Sequence, residues 1–543
     1  MFQKDLEAII KKQLKWDIQL ETPKNKEHGD LSLPCFKLKK SPEFILTKLT
    51  LPNYIKEAKI IGTYLNFYLK PEYKAKKLLE YIPKFKKTGK RIMLEYSQAN
   101  THKAFHVGHI RGTSIGEALA RILEFTGNKV LRVNYQGDTG MHVAKWIWCY
   151  NKFHKNEEPP QQNKTKWISH IYVEAVQNLG KDEKLEKEIR ELNKKIDRRD
   201  KSVLDIWKKS RKWSLDEFET IYKDLNTRFD YYFFERDMEK SAKELSKQLI
   251  EDKIAVISDK ATIMDLKKEN LSIWVLLRDD GTPLYSAKDL VLAKKKFEKY
   301  KINKSIYIVG AAQTLHFQQC FKTLELMGFE NYKNCYHIPY SEVRLPYGKM
   351  SSRTGENILY QEMLEELFNY SKKETKLRHR EWSETKINKN SKEIAITSIK
   401  FTMLHQDNNK NITFDLQKSL DFQGETGPYI QYVHARCSSI LKNQKLNFKI
   451  NYKLLKTPEE INLIDELSKF EEVILQSSEH YKINLVANYT IKLAKTFNEF
   501  YHNCQVLKSE PKLKEARLKL VEKTQKIVAL CLNLLGINPI KEM

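Results

Sequence analysis

The sequence has 543 residues, too many for one hydrophobic core, so about two to four domains are expected. Apolar residues make up 41% of the chain, which excludes a disordered protein although 31% of the residues are charged. Lys and Arg outnumber Asp and Glu by 96 to 70. The net charge of +26 therefore indicates either a polyanionic partner or many solvated lysines.

Cysteine spacing and apolar runs bear on the cellular compartment. No two of the seven cysteines lie three or four positions apart, so the paired spacing of a structural zinc site is missing and we predict no metal. An odd number of cysteines in a long chain favours a reducing cytoplasm over a disulfide framework. The start, MFQKDLEAIIKKQLKW, has the pattern of an amphipathic helix, unlike a signal peptide. No apolar run approaches the ~18 residues of a membrane span, so we expect a cytoplasmic protein.

Taken in chain order, the predicted elements fall into three parts. Residues 1–88 mix short helices with a strand-like IGTYLNFYLK, which predicts a small α+β domain. Residues 89–375 alternate strand and helix patterns, which indicates an α/β domain with a parallel sheet and crossover helices. A charged, helical stretch at about 151–230 reads as an insertion between two halves of that sheet. Residues 390–543 carry apolar side chains at helical spacing and predict an all-α bundle.

A strand–loop–helix–strand pattern near residue 100 carries the first candidate site. RIMLEYS predicts a strand, QANTHKAF a loop, and HVGHIRGTSIGEALARILEF an amphipathic helix. His106 and His109 open that helix on one face, and Gly108 between them lets a ligand approach the backbone. A helix N-terminus favours phosphate, although two histidines can equally serve as helix caps.

A second candidate lies far downstream in RLPYGKMSSRTGEN. Its Pro, Gly and Ser residues indicate a loop, and Lys349 and Arg353 provide cations that can close over a phosphate. Taken alone, this segment is a generic basic turn.

The two motifs together resemble those of class I aminoacyl-tRNA synthetases, which pair a His-x-Gly-His motif with a Lys-Met-Ser-Lys-Ser loop after a Rossmann-type fold. HVGH at 106–109 and KMSSR at 349–353 stand in that order. The stretches EYSQANTHKAFHVGHIRGT, LYSAKDL, GAAQTLHFQQ, DFQGETGPYIQYVHAR and LLGINPIKEM, with HGDLSL near the start, resemble the arginyl-tRNA synthetase family. The resemblance covers nearly the whole chain and is weakest at 151–230.

The resemblance implies the site residues and their roles. Catalysis is assigned to His106, His109, Lys349 and Lys103. ATP binding is assigned to His106, Gly108, His109, Lys349, Met350, Ser351 and Ser352, and Mg²⁺ is expected with the ATP. Arginine binding is assigned to Glu95, Asn100, Glu235, Tyr285, Asp289 and Gln313. The acids suit the planar, permanently charged guanidinium, and Glu235 has the weakest context.

Two departures from the family pattern affect these expectations. Ser352 stands where the general class I loop has a second Lys, and Lys103 before the histidine motif is expected to compensate. The family usually reads Ser-Pro-Asn where this chain reads QAN at 98–100, so Gln98 is not expected to reproduce the contact of that serine.

The resemblance also implies the partners. The N-terminal part is expected to bind tRNA, and the helical C-terminal part is expected to bind the anticodon stem and loop through Gln431, Tyr432 and Arg436. The expected function is arginyl-tRNA synthesis from arginine, ATP and tRNA(Arg) by a monomer. The alternatives are a non-catalytic, synthetase-like tRNA-binding protein and a class I synthetase of other specificity.

Overall fold

A computed structural model describes residues 2–23, 25–81, 83–161, 164–180, 182–344, 346, 359–444 and 450–543. The predicted KMSSR loop, with Lys349, Met350, Ser351 and Ser352, lies outside the described residues.

The helices and strands alternate through the middle of the chain and give way to helices towards its end. In chain order they are α1 (Phe2–Leu14), β1 (Leu31–Pro34), α2 (Pro42–Thr47), β2 (Ile55–Ile61), β3 (Tyr64–Leu69), α3 (Pro71–Glu80), β4 (Arg91–Glu95), α4 (Val107–Phe125), β5 (Lys129–Gln136), α5 (Met141–Phe153), α6 (Lys164–Leu179), α7 (Glu183–Asp197), α8 (Lys201–Asp224), β6 (Tyr231–Phe234), α9 (Glu239–Glu251), β7 (Val256–Ser258), β8 (Ala261–Asp265), β9 (Ile273–Leu277), α10 (Tyr285–Tyr300), β10 (Lys304–Gly310), α11 (Thr314–Leu326), β11 (Cys335–Tyr340), β12 (Val343–Arg344), α12 (Tyr360–Arg378), α13 (Glu384–Leu404), β13 (Ile412–Thr413), α14 (Leu416–Ser419), α15 (Gly427–Leu441), α16 (Pro458–Ser468), α17 (Phe470–His480), α18 (Ile483–Asn503) and α19 (Pro511–Leu534).

The chain divides into two compact units. The first contains residues 1–83, 440–469 and 495–525, and the second contains residues 84–439, 470–494 and 526–543. In the first unit, β1, β3 and β2 form an antiparallel sheet in that order. Lys74 on α3 bridges Asp30 at 2.7 Å and Asp465 on α16 at 2.6 Å, which ties the N-terminal segment to a later helix. The domain boundaries drawn from the sequence stay a prediction.

Five parallel strands form the central sheet of the second unit, in the order β11-β10-β4-β5-β6. The apolar runs of the three central strands, β10, β4 and β5, are buried because helices such as α4 and α10 cover the sheet, and this burial is typical of parallel strands. The predicted fold class is confirmed: a Rossmann-type α/β domain is accompanied by a small α+β N-terminal segment and C-terminal helices.

The strand order locates a crevice. β4 has β10 on one side and β5 on the other, so the loops that follow β4 and β10 diverge at the carboxyl edge of the sheet. Ligands of open α/β sheets bind at such a switch point. Glu95, Asp138, Glu235 and Gln313 all lie at or just after the carboxyl ends of these strands.

The predicted insertion is helical and lies between β5 and β6. Helices α5 to α8 enclose their own core, in which Trp146, Trp167 and Trp213 contact one another edge to face. Helix α8 also reaches the loop after β4, as described below. The insertion is therefore part of the support of the sheet's carboxyl edge.

Residues 536–542 are attached to the second unit by several hydrogen bonds. The fully buried Lys400 on α13 donates to Leu225 O and, at 2.7 Å, to Gly536 O. Gln431 donates to Asn538 O at 2.9 Å, and His434 Nδ1 lies 2.7 Å from Ile540 O. Burial lowers the pKa of Lys400 to about 7. The carbonyl oxygens of Leu225 and Gly536 favour its charged form by accepting hydrogen bonds from it.

All seven cysteines belong to the described residues, and all are buried free thiols. Among the described helices, none combines the length and the apolar character needed to cross a membrane.

Candidate active site

The loop after β4 has an unusual backbone. Ser97, Gln98 and His102 have positive φ angles of 77°, 51° and 62°, which non-glycine residues adopt only when their surroundings hold them there. Three side chains of α8 hold Ser97 and His102 in this way. Tyr222 accepts a hydrogen bond from Ser97 Oγ at 3.0 Å, Ser214 Oγ accepts from His102 N at 3.0 Å, and Ser210 Oγ lies 2.8 Å from His102 Nε2.

The two histidines of the HVGH motif cap the helix that they open. His106 Nδ1 accepts from Gly108 N at 3.1 Å, and His109 Nδ1 accepts from His106 N at 3.3 Å. A Cβ at position 108 would lie 3.0 Å from the His106 ring, so glycine allows this arrangement. Because each Nδ1 is an acceptor, the proton of each neutral ring is on Nε2, where it can be donated to a ligand.

Burial keeps both rings uncharged. It lowers the pKa of His106 to about 4, and the charge of Lys103 adds to this effect. Burial, the His106 ring and Lys103 together hold the pKa of His109 well below its usual value. The ring centroids are 4.0 Å apart. The pair therefore offers hydrogen-bond donors and no positive charge at neutral pH.

A cavity of about 320 Å³ lies beside the histidines. Asn100, Lys103, His106 and His109 line it from the loop after β4 and the start of α4. Lys166, Ser169, His170, Tyr172 and Val173 line it from α6, and Leu359 and Glu362 complete the lining. The Lys103 ammonium lies 5.5 Å from the centre of the Tyr172 ring.

Glu95, the first of the predicted arginine-binding acids, is buried and already paired. Lys296 Nζ donates to Glu95 Oε2, and Gln98 Nε2 donates to Glu95 Oε1 at 3.0 Å. Gln98 thus helps to fix the Glu95 carboxylate. Lys296 is fully buried and lies 4.0 Å from the centre of the Tyr307 ring.

Glu235 and Asn100 meet at Gly137, just after β5. A Cβ on Gly137 would lie 2.3 Å from Asn100 Oδ1 and 3.1 Å from Glu235 Oε1, so only glycine permits the approach of both. Lys288 Nζ bridges Glu235 at 3.1 Å and Glu239 at 3.5 Å. Burial raises the pKa of Glu235, and the charge of Lys288 opposes that rise.

Asp289 is held by a histidine. Trp274 Nε1 donates to His316 Nδ1 at 3.3 Å, which leaves the ring proton on Nε2, and His316 Nε2 lies 2.6 Å from Asp289 Oδ2. Within the described parts of the chain, Asp289 has no ion pair with Lys or Arg. No Lys or Arg among these residues therefore competes with a ligand for this carboxylate.

The other predicted arginine-binding residues lie close by or at the same edge. Tyr285, half exposed, packs its ring 4.7 Å from that of His316, centre to centre. Gln313 is exposed in the turn between β10 and α11. Tyr135 is an additional candidate: burial first, and then the charges of Asp289, Glu235, Glu95 and Asp138, raise the pKa of its hydroxyl well above the usual value. That hydroxyl has no hydrogen-bond partner among the residues described.

The predicted tRNA-binding residues are on α15, away from the sheet edge in sequence. Gln431 is fully buried and donates to the Asn538 carbonyl, so it contributes to the fold. Arg436 donates to Tyr432 OH at 2.6 Å, and its guanidinium lies 4.5 Å from the centre of the Tyr432 ring. These roles stay predictions.

Sequence reasoning missed Lys288, Lys296 and His316, which contact predicted site residues, and Tyr222, which holds the loop after β4. Lys288 and His316 lie in the quoted stretches LYSAKDL and GAAQTLHFQQ, so their location beside Asp289 was a usable signal. Tyr222 and Lys296 lie in stretches without any motif.

Comparison with known proteins decides the family. A family model described as "tRNA synthetases class I (R), catalytic domain" matches residues 76–416. A relative from Bdellovibrio bacteriovorus named arginine–tRNA ligase is 34% identical over 93% of this chain and 90% of its own length. The chain belongs to the arginyl-tRNA synthetase family.

The rest of the chain matches the same family. Residues 1–69 match a model described as "Arginyl tRNA synthetase N terminal domain", and residues 430–543 match a "DALR anticodon binding domain". An arginine–tRNA ligase of Clostridium acetobutylicum is 32% identical over 99% of this chain and 97% of its own length. The solved Thermus thermophilus arginyl-tRNA synthetase superposes with a TM-score of 0.86 at 25% identity, covering all of both chains. The resemblance inferred from the motifs is confirmed.

Proposed function

We propose that the chain activates L-arginine with ATP and transfers it to the 3′-terminal adenosine of tRNA(Arg), releasing pyrophosphate and then AMP. The activity of an arginyl-tRNA synthetase is supported by family models along nearly the whole chain and by relatives that share its full length. The non-catalytic alternative and a different amino acid specificity are not favoured.

The surroundings of Asp289 are the observation that supports specificity for arginine. A carboxylate that has no Lys or Arg partner among the described residues and is oriented by His316 suits a guanidinium that stays charged at every physiological pH. Glu235, Asn100, Tyr285 and Gln313 complete this end of the site, and the Tyr135 hydroxyl adds an acceptor. Lysine would leave part of this fork geometry unpaired, so selectivity does not require editing.

The histidines act on the phosphates. In the first step, an arginine carboxylate oxygen forms a bond to the α-phosphorus of ATP, and the bond to the leaving pyrophosphate breaks. The Nε2–H groups of His106 and His109 donate hydrogen bonds to the phosphate oxygens on which negative charge develops. Lys103 adds positive charge beside them, and Lys349 is assigned the same task from the sequence motif. Mg²⁺ enters with ATP as part of the substrate and neutralises the triphosphate.

The second step uses the tRNA. A ribose hydroxyl of the terminal adenosine, the 2′-hydroxyl under class I rules, attacks the arginyl carbonyl carbon, and AMP leaves. The C-terminal helices bind the anticodon stem and loop through a surface that includes Tyr432 and Arg436 on α15. The chain acts as a monomer in the cytoplasm.

ATP–pyrophosphate exchange with each of the twenty amino acids, with and without total tRNA, tests the proposal. We expect exchange with arginine alone, and a requirement for tRNA if bound tRNA completes the site. Exchange with a different amino acid would contradict the specificity. The absence of exchange under every condition, with tRNA still bound, would contradict catalysis.

A further inference from the structure

A second polar cluster lies in the insertion, where α5 and the turn after it meet α6. Cys149, His154 and Glu174 bring a thiol, an imidazole and a carboxylate together, and their potential ligand atoms all lie within 4.8 Å of one another. Cys149 is fully buried, whereas the side chains of His154 and Glu174 are 15% and 27% exposed. Solvent can therefore reach the cluster from the side of His154 and Glu174 but not from the side of Cys149.

Both nitrogens of His154 point at carboxylates. His154 Nε2 lies 2.7 Å from Glu174 Oε2, and Nδ1 lies 3.0 Å from Glu157 Oε1. Burial lowers the pKa of this ring, but the hydrogen bonds to Glu174 and Glu157 raise it by more, so the net pKa is above the usual value. The two carboxylates therefore fix the orientation of the His154 ring from both sides.

We propose that this cluster is a binding site for a divalent metal ion, with Zn²⁺ as the best match, held by Cys149 Sγ, His154 Nε2 and a Glu174 carboxylate oxygen. Zn²⁺ binds this mixture of sulfur, nitrogen and oxygen ligands, which sit about 3.5 Å apart in a tetrahedral site. Rotation of partly exposed side chains can close the remaining gap. On binding, the Cys149 thiol releases its proton to solvent, and His154 binds through Nε2 as the unprotonated ring nitrogen.

The surroundings supply what a metal-bound histidine needs. Glu157 keeps the proton on Nδ1 of His154, which fixes the ring with Nε2 towards the metal. Trp167 Nε1, 3.4 Å from Glu157 Oε2, holds Glu157 in turn. His170 is one helical turn before Glu174, with its Nε2 4.0 Å from Glu174 Oε2, so it can provide the fourth ligand where water does not.

A metal here would act on the neighbouring cavity. Helix α6, which carries Glu174, also places Lys166, Ser169 and His170 in the cavity beside His106. Linking α6 to α5 through a metal would therefore fix the cavity wall that faces the two motif histidines. Cysteine spacing could not reveal this site because its ligands come from separate helices and include a single cysteine.

Titration of the metal-stripped full-length protein with Co²⁺, followed by displacement with Zn²⁺, tests the site without any use of the arginine reaction. We expect one Co²⁺ per chain and a thiolate-to-cobalt charge-transfer band. Cys149→Ser should abolish the band, and Cys437→Ser, a change at another buried cysteine, should leave it intact.

Variants at the carboxylates keep the test decisive if Cys149→Ser does not fold. Glu174→Gln should weaken Zn²⁺ binding by at least about tenfold, and Glu157→Gln by about tenfold through the orientation of His154. Glu186→Gln, on the exposed face of α7, should have no effect. The proposal is overturned if no thiolate band develops, or if Glu174→Gln and Glu186→Gln bind Zn²⁺ equally well.

Discussion

The two ends of the candidate active site use charge in opposite ways. At the proposed arginine end, Glu95 and Glu235 are each tied to a buried lysine, whereas Asp289 is paired with His316 and has no Lys or Arg partner among the described residues. At the phosphate end, burial keeps His106 and His109 neutral, so they offer N–H groups. The carboxylate without a lysine partner, Asp289, thus lies at the end proposed to bind the substrate group that is always charged.

This difference follows from what each end recognises. A guanidinium has the same charge before and after the reaction, so a permanent counter-charge serves it throughout. The phosphate end has to stabilise charge that develops in the transition state and then leaves with pyrophosphate. Neutral, oriented donors can do this without holding the product as strongly as a cation would.

The largest expected effect comes from Asp289→Asn. Removal of the carboxylate charge should weaken transition-state binding by about 3–5 kcal/mol, with the loss in the KM for arginine. The KM for ATP should stay near its original value. Pyrophosphate exchange with each substrate varied separately measures both constants, and Glu298→Gln, exposed on the same helix, is the control. An equal rise in both constants would contradict the division into two ends.

His109→Asn should produce the complementary result. Asparagine can still cap the helix but lacks the Nε2 donor, so kcat for adenylate formation should fall about 100- to 1000-fold. The KM for arginine should not change, in contrast to Asp289→Asn. His480→Asn, at an exposed position, is the matched control. A selective loss of arginine binding in His109→Asn would refute the assigned role.

Low pH should reduce the stability of the loop after β4, which supports the phosphate end of the site. Burial lowers the pKa of His102 to about 3, whereas the unfolded chain takes up the proton near pH 6.5, so this stabilisation is complete above about pH 6.5 and is lost as the pH falls towards 3. At about pH 5, the titration of His102 has lowered the free energy of unfolding by about 2 kcal/mol relative to neutral pH. Urea unfolding at several pH values should show a shallower acid dependence in His102→Asn than in the control, exposed His502→Asn. Identical slopes would mean that His102 does not carry this dependence.

The smallest expected effect is that of Lys103→Ala. Lys103 adds positive charge near the histidines, so its loss should lower the adenylation rate by about tenfold, or about 1.4 kcal/mol. Single-turnover adenylate formation measures this, with the exposed Lys212→Ala as control. An unchanged rate would show that Lys103 does not compensate for Ser352.

The phosphate end could be predicted because its signal is local. His106, Gly108 and His109 lie within four residues at a helix N-terminus, and the helix period places them together. The supports could not be predicted in the same way. Lys296 meets Glu95 across 201 residues, and the Ser97–Tyr222 contact spans 125. Helical periodicity shows that α8 buries one face, but only the sheet's strand order determines what that face meets.

The hydrogen bonds to residues 536–540 have a consequence for biosynthesis. Until those residues leave the ribosome, Lys400 has lost one of its two carbonyl acceptors, and Gln431 and His434 lack theirs. A buried ammonium that lacks one of its two acceptors is costly, so native packing around Lys400, Gln431 and His434 is disfavoured until these residues are present. A prematurely terminated chain that lacks these few residues would consequently stay open to proteases even with its whole catalytic sheet synthesised.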